Sequence, residues 1–314
     1  TIAFNPEVVD SVSDKLIVVT NGGIQNIHMN GYGYELWPMD WRIAAGDEGT
    51  EWFWTESLQH YVRGIAYNHL NNHLYVVSRI GGPNIYILDA GTGEFIGQLD
   101  NTGIAQNEAT YHVNLADVTE DGQIIVTSMA RTPNKFNVYH YENEKAVPTM
   151  VFSEDVGIVV GDAMSVAGTG TELTIYSAGH WSTNGDDNEL NKVLKLTTSD
   201  LATWDQAFID IPAPRDANYG ISTFDNGEYL FINGTGPNPP MYLKNDGTIL
   251  HTFGPGIPTG TAVEYFEIEE NMQIRRFISL TSGWSSGTAV VELLGEPGDS
   301  LCSEVALVGP STED

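Results

Sequence analysis

The chain has 314 residues and a formal charge of −29, from 42 acidic against 13 basic side chains, with hydrophobic residues at 41% and aromatic residues at 10%. That apolar content supports a packed core and excludes a disordered chain, while the negative field excludes nucleic acid as a partner and disfavours anionic membrane surfaces. No apolar run of about 18 residues exists for membrane insertion, and the single cysteine, Cys302, leaves no internal disulfide, cysteine-based zinc site or redox pair.

The carboxylates are scattered, so the acidity reads as solubility or a saline habitat, with calcium binding as the alternative. The chain opens at Thr1 without a visible signal peptide, inside a stretch that reads as a strand. A processed, secreted protein, extracellular or at the cell surface, is therefore expected.

Taken in chain order, the elements repeat. Residues 2–5 (IAFN) read as a strand and return almost unchanged at 65–68 (IAYN); residues 16–20 (LIVVT) follow the first copy. Residues 64–68 lead across Asn71-Asn72 into 74–78 (LYVVS), then 84–89 and 95–99. Residues 114–119 lead across Asp121-Gly122 into 124–128 (IIVTS), then 136–141 and 149–152. The pattern continues through 173–177 (LTIYS), 192–197 and 207–211, and then through 219–224, Asn226-Gly227, 229–233 (YLFIN), 241–244 and 249–253. It ends with 277–281 (FISLT), 289–294 and 301–308.

Six of these segments align without gaps, at steps of 58, 50, 49, 56 and 48 residues, and each ends in Ser, Thr or Asn. Their β-branched and aromatic residues suit buried strands, and Asn-Gly and Asp-Gly suit two-residue hairpins. The period is near the roughly 40–50 residues of a four-stranded propeller blade; helical solenoids repeat at similar lengths, but no 3.6-residue stripe is present. The expected fold is all-β: one propeller over 1–314 with four-stranded antiparallel blades near 1–60, 61–110, 111–156, 157–215, 216–260 and 261–310. Six blades are expected. Seven are the alternative, if residues 37–59 hide a hairpin with 51–55 as a strand. A pair of β-sandwiches is the rival architecture, and the repeat disfavours it. Because the chain starts in an inner strand, the last blade is expected to be finished by residues 301–308 rather than by an N-terminal strand.

The run NIYILDAGTG at 84–93, after LYVVS at 74–78, resembles the blades of YVTN-type and quinoprotein-like propellers, and the whole chain is similar to WD40-like propeller domains of secreted bacterial proteins. The resemblance implies a propeller whose function can be binding, scaffolding or catalysis. It also implies a C-terminal secretion or sorting tail that is removed, which the polar end at 309–314 would fit. Quinoprotein dehydrogenases would carry tryptophan-docking repeats in nearly every blade, and this chain does not.

The loops joining second to third strands, at 79–83, 129–135, 178–191, 234–240 and 282–288, are long and unlike one another, and such loops on a rigid array are where binding residues concentrate. They bring Arg79, Arg131, His180, Trp181 and Trp284 to one face. The segments leading into the inner strands add His60, Tyr61, Arg63, Tyr111, His112, Asn114, Asp162, Asn218, Tyr219 and Glu264 near the channel mouth. Aromatic rings beside polar groups suit a glycan or a peptide side chain. The plainer readings are that Trp181 and Trp284 pack between blades and that Arg63 and Arg131 satisfy neighbouring carboxylates.

The eight histidines show no zinc-binding spacing. For calcium, Asp186, Asp187 and Glu189 in the loop NGDDNE offer clustered oxygens, against the alternative of an ordinary solvated turn. Asp162 and Glu264, read as equivalent blade starts, are the other candidate, as a channel cation site of the lactonase kind. No nucleophile elbow, phosphate loop or dinucleotide fingerprint is present. The expectation is therefore a secreted, non-catalytic binding or scaffold propeller with a glycan or an extracellular protein as partner and no required cofactor. A cation-dependent hydrolase or lactonase at the channel mouth is one alternative; a structural subunit of an extracellular assembly or homo-oligomer is another.

Overall fold

The computed structural model describes residues 11–20, 23–32, 61–104, 109–179, 191–211, 218–234, 239–253, 262–270, 272–281, 288–293 and 305–309, with a few single positions between them. They form a β-propeller of four-stranded antiparallel blades, with no α-helix among them. The first blade is β3 (Val62–Asn68), β4 (His73–Ser78), β5 (Asn84–Asp89) and β6 (Phe95–Gln98). The second is β7 (Tyr111–Val118), β8 (Ile124–Met129), β9 (Phe136–Tyr141) and β10 (Thr149–Glu154). The third is β11 (Ala163–Thr169), β12 (Glu172–Ala178), β13 (Lys192–Thr198) and β14 (Asp205–Asp210). The fourth is β15 (Asn218–Phe224), β16 (Tyr229–Gly234), β17 (Met241–Lys244) and β18 (Ile249–Thr252). The fifth is β19 (Val263–Glu270), β20 (Gln273–Thr281), β21 (Thr288–Leu293) and β22 (Val305–Gly309).

The expected count of six or seven blades is corrected to five among the described residues. The first aligned segment, 16–20, lies in β1 (Ser11–Thr20), whose one partner there is β2 (Gly23–Tyr32). A matching pentapeptide identifies a strand; a blade also needs three ladder partners, and only the spans from residue 61 onward show them. Residues 2–5 and most of 51–55 lie outside the described residues. The fifth blade does end in a C-terminal strand, β22, paired with β21.

Successive inner strands β3, β7, β11, β15 and β19 lie side by side, so each blade stacks on the next through its alternating side chains. Ile124, Val126, Tyr139 and Tyr141 face the first blade, packing with Tyr75, Val77, Ile85 and Ile87. Their neighbours Ile125, Phe136 and Val138 face the third, packing with Val166, Ile175, Leu194 and Leu196. The period-two alternation thus feeds two cores from one strand, which is why the second strands read as continuous apolar runs. Outer strands bury one face at most and stay largely exposed, as β14 does. Between the fourth and fifth blades the core is aromatic: Phe224 stacks on Tyr265 at 4.4 Å and Phe231 on Tyr242 at 5.2 Å.

In the second, third and fourth blades the polar residue closing the aligned segment has a definite task. Ser128 Oγ accepts the Asn137 amide at 2.8 Å, and Ser177 Oγ accepts the Gly161 amide and donates to the Ala163 carbonyl, both at 2.9 Å. Asn233 donates to the Ala262 carbonyl at 2.9 Å and accepts the Gly260 amide at 3.2 Å. All three are fully buried, so these bonds satisfy loop backbone that would otherwise be stranded away from water. At the opposite rim the hairpins turn as their dipeptides predict, with φ of 59° at Asn72, 83° at Gly122 and 51° at Asn226.

Candidate functional site

Arg79 leaves the end of β4, Tyr61 leads into β3, and Tyr111 and His112 open β7. These positions share the end of the propeller that carries the long loops. There Tyr61, Arg79, Gly81, Gly82, Tyr111 and His112 line a cleft of about 630 Å3. The Arg79 guanidinium carbon lies 4.0 Å from the Tyr111 ring centre and 5.6 Å from that of Tyr61, within reach of cation–π attraction. Burial, and then the charge of Arg63, lower its pKa to about 10. Burial and Arg79 also lower that of His112.

Arg63 begins a chain of bonds around the channel mouth. Its Nε donates to Asn114 Oδ1 at 3.2 Å, its Nη2 pairs with Asp162 at 3.4 Å, and Asn114 Nδ2 donates to the Gly161 carbonyl at 2.5 Å. Three blades are thereby linked. Gly161 is indispensable here: its φ is 97° and an added Cβ would sit 2.3 Å from the Ser128 carbonyl oxygen.

Below the mouth, a channel cavity of about 200 Å3 is lined by inner-strand residues, among them Arg63, Asp117, Asp162 and Glu264. Asp117 accepts the Val118 amide at 2.8 Å and the Val166 amide at 2.7 Å, the latter from the next blade. Burial raises the Asp117 carboxyl; burial and then the Asp117 charge raise Glu264. Glu264 is open to the lumen while protein surrounds the channel, so its surface is wetted but its charge is poorly solvated.

Of the sequence candidates, Arg79, His112, Tyr61 and Tyr111 come together in the cleft, with Arg63 close by. Arg63 does satisfy a carboxylate, Asp162. The Arg131 amide donates to Thr110 Oγ1 at 3.0 Å, tying its loop to the start of β7. Tyr219 lies at the irregularity of β15 between Asn218 and Gly220. Asp162 and Glu264 both line the channel but are not equivalent. Met164, two residues after Asp162, faces Ser177, the last of its aligned segment, whereas Glu264 faces Ser279, two residues short of the end of its own. The loop with Asp186, Asp187 and Glu189, together with His60, His180, Trp181 and Trp284, lies outside the described residues. Among the described residues no three His, Cys, Asp or Glu side chains converge as a metal site.

Asp117 is the functional candidate that sequence reading missed. The signal was a carboxylate between Ala116 and Val118, near the end of an inner strand.

Neither a protein-family profile nor a curated protein matches the chain. Among solved structures, it is similar to a DUF4623 family protein from Bacteroides eggerthii at 16% identity and a TM-score of 0.62, covering 98% of this chain and 72% of that one. It is also similar to a chain of a nidogen/laminin complex at 12% identity and a TM-score of 0.50, covering 80% of each. A gluconolactonase from Xanthomonas campestris reaches a TM-score of 0.43 at 15% identity, covering 69% of this chain and 82% of that one, a likeness too slight to bear on activity. The first two likenesses concern the fold, and they bear out the propeller that the repeat pattern predicted.

Proposed function

We propose that the chain is an extracellular binding propeller whose ligand seats in the cleft on the long-loop rim. The supporting observation is the grouping of Tyr61, Arg79, Tyr111 and His112 around one concavity, with both tyrosines partly exposed, at 38% and 45%. Its volume of about 630 Å3 falls within the range of small-molecule sites. Exposed phenol faces with an adjacent cation stack on a sugar ring or planar group and fix its orientation by hydrogen bonds. The test is a glycan array and a pull-down from extracellular material, repeated with Tyr61→Ala combined with Tyr111→Ala. Binding lost in the double variant supports the cleft; binding that persists unchanged defeats it.

A second reading has one observation in its favour, the Asp117–Glu264 carboxylates in the channel, where a cation-dependent hydrolase would hold its metal. Arg63 counts against it, because its guanidinium already compensates Asp162. Calcium titration followed by calorimetry separates the two. Stoichiometric binding abolished by Glu264→Gln would favour the hydrolase.

A further inference from the structure

A second cavity, of about 360 Å3, lies against the first blade, with Trp41, Trp52, Val62, Ile65, Val76 and Leu88 in its walls. Both indoles are held in place. Trp41 Nε1 donates to the Ala90 carbonyl at 2.8 Å, and its ring lies on Gly93, where an added Cβ would stand 2.5 Å from Cε3. Trp52 meets Tyr86 edge-on at 4.7 Å and Phe95 at 5.9 Å. Arg63 is the one charged residue among the described residues that line this cavity. Apolar space of this size favours an apolar body over water.

The cavity adjoins the acidic channel, since Arg63, Gly64 and Ile65 line both. Ile65 is 63% exposed although it sits in the middle of β3, so apolar surface is open at the junction. In the channel Arg63 pairs with Asp162 at 3.4 Å. Asp117 and Glu264 have no cationic partner among the described residues. Burial raises both carboxyls, and the Asp117 charge raises Glu264 further, so their ionised forms lack a compensating charge.

We propose that cavity and channel together form a site for an apolar organic cation, an ammonium group on an aromatic or aliphatic body, with the body against Trp41 and Trp52 and the ammonium at Asp117 and Glu264. The site is separate from the rim cleft. Charge complementarity supports it at two ranges: a chain of charge −29 draws cations toward it, and indole faces attract an ammonium close by. Arg63 opposes an incoming cation, but Asp162 already compensates its charge.

The experiment measures the binding of phenylbutylamine, phenylbutanol and methylammonium by calorimetry at about pH 9, where an alkylammonium is still charged. The alcohol keeps the body without the charge, and methylammonium keeps the charge without the body. Each is expected to bind at least about tenfold more weakly than phenylbutylamine. An alcohol that binds as tightly as the amine overturns the inference, because the carboxylates then take no part. Methylammonium that binds as tightly also overturns it, leaving a bare cation site, and so does an amine that does not bind. These comparisons use the unmodified protein and stand whether or not variants fold. Glu264→Gln should weaken the amine about tenfold and leave the alcohol unchanged, and Trp52→Leu should weaken both; an amine indifferent to Glu264→Gln overturns the channel as the ammonium seat. Lowering the pH to about 5 should weaken the amine in the same sense by protonating Asp117 and Glu264, the other charged groups facing the channel being Asp162 and Arg63.

Discussion

The two rims of the propeller are made from the same blades and put some of their polar groups to different use. On the hairpin rim, side chains close gaps between neighbours. Asn68 donates to the Gly122 carbonyl at 3.1 Å, Tyr176 and Asn245 both donate to the Gly227 carbonyl, at 2.7 and 2.9 Å, and Glu144 accepts from Asn71 and Tyr75 at 2.9 Å each while meeting His73 at 2.6 Å. On the long-loop rim, Arg79, His112 and two tyrosines border open space instead. The difference teaches that the bridging is local: the hairpin rim is fastened at these points, whereas on the long-loop rim bridges such as Asn114–Gly161 and Asn233–Ala262 stand beside an open cleft between the first two blades.

The largest expected effect falls on a tight point of the long-loop rim. Gly161→Val would force a side chain at a φ of 97° into the Ser128 carbonyl, and a loss of about 3 kcal/mol or more is expected in urea unfolding. Wild-type stability in this variant would show that the bridge from Asn114 to Gly161 is dispensable. Next is Glu144→Ala on the hairpin rim, which leaves the Tyr75 hydroxyl without its acceptor and Asn71 with the Tyr75 oxygen alone. A cost of about 2 kcal/mol is expected by the same measurement, and a negligible one would mean that this rim is not fastened there. Tyr176→Phe should cost about 1 kcal/mol, since its hydroxyl bonds the buried Gly227 carbonyl. Tyr111→Phe, on the other rim, should change stability by less than about 0.5 kcal/mol. Equal costs for these two substitutions would dissolve the contrast between the rims.

The channel adds a dependence on pH. Glu264 titrates above its ordinary value in the fold, so the folded state holds a proton that the unfolded chain has released. Its contribution is fully present below the ordinary carboxylate pKa and is lost as pH rises through the raised one. The charged groups lining the same cavity are Asp117, Asp162 and Arg63. Glu264→Gln should flatten the decline of melting temperature with rising pH above the ordinary carboxylate range; an unchanged profile would place the titration elsewhere.

Much of the blade anatomy was written in the sequence. The third strands at 84–89, 136–141 and 241–244 coincide with β5, β9 and β17, because a buried strand between turn residues leaves a short apolar run that few other structures produce. The Ser, Thr or Asn ending each second strand was visible as a repeat, although its role in satisfying loop backbone was not. The count of blades was less legible, since one aligned segment does not reveal how many partners it recruits.

What the sequence determined by itself is therefore the local alternation: period two within strands, positive-φ residues at hairpins, and a polar terminus before each long loop. Those features act over a few residues, where side-chain chemistry and backbone sterics decide the outcome. Only the tertiary structure decided that Arg79 lies over Tyr111, 32 positions later in the chain, and that Asp117 and Glu264 share one channel. Such contacts are set by blade stacking, in which residues from different repeats meet at equivalent strand ends or across an axis, and no spacing along the chain encodes them.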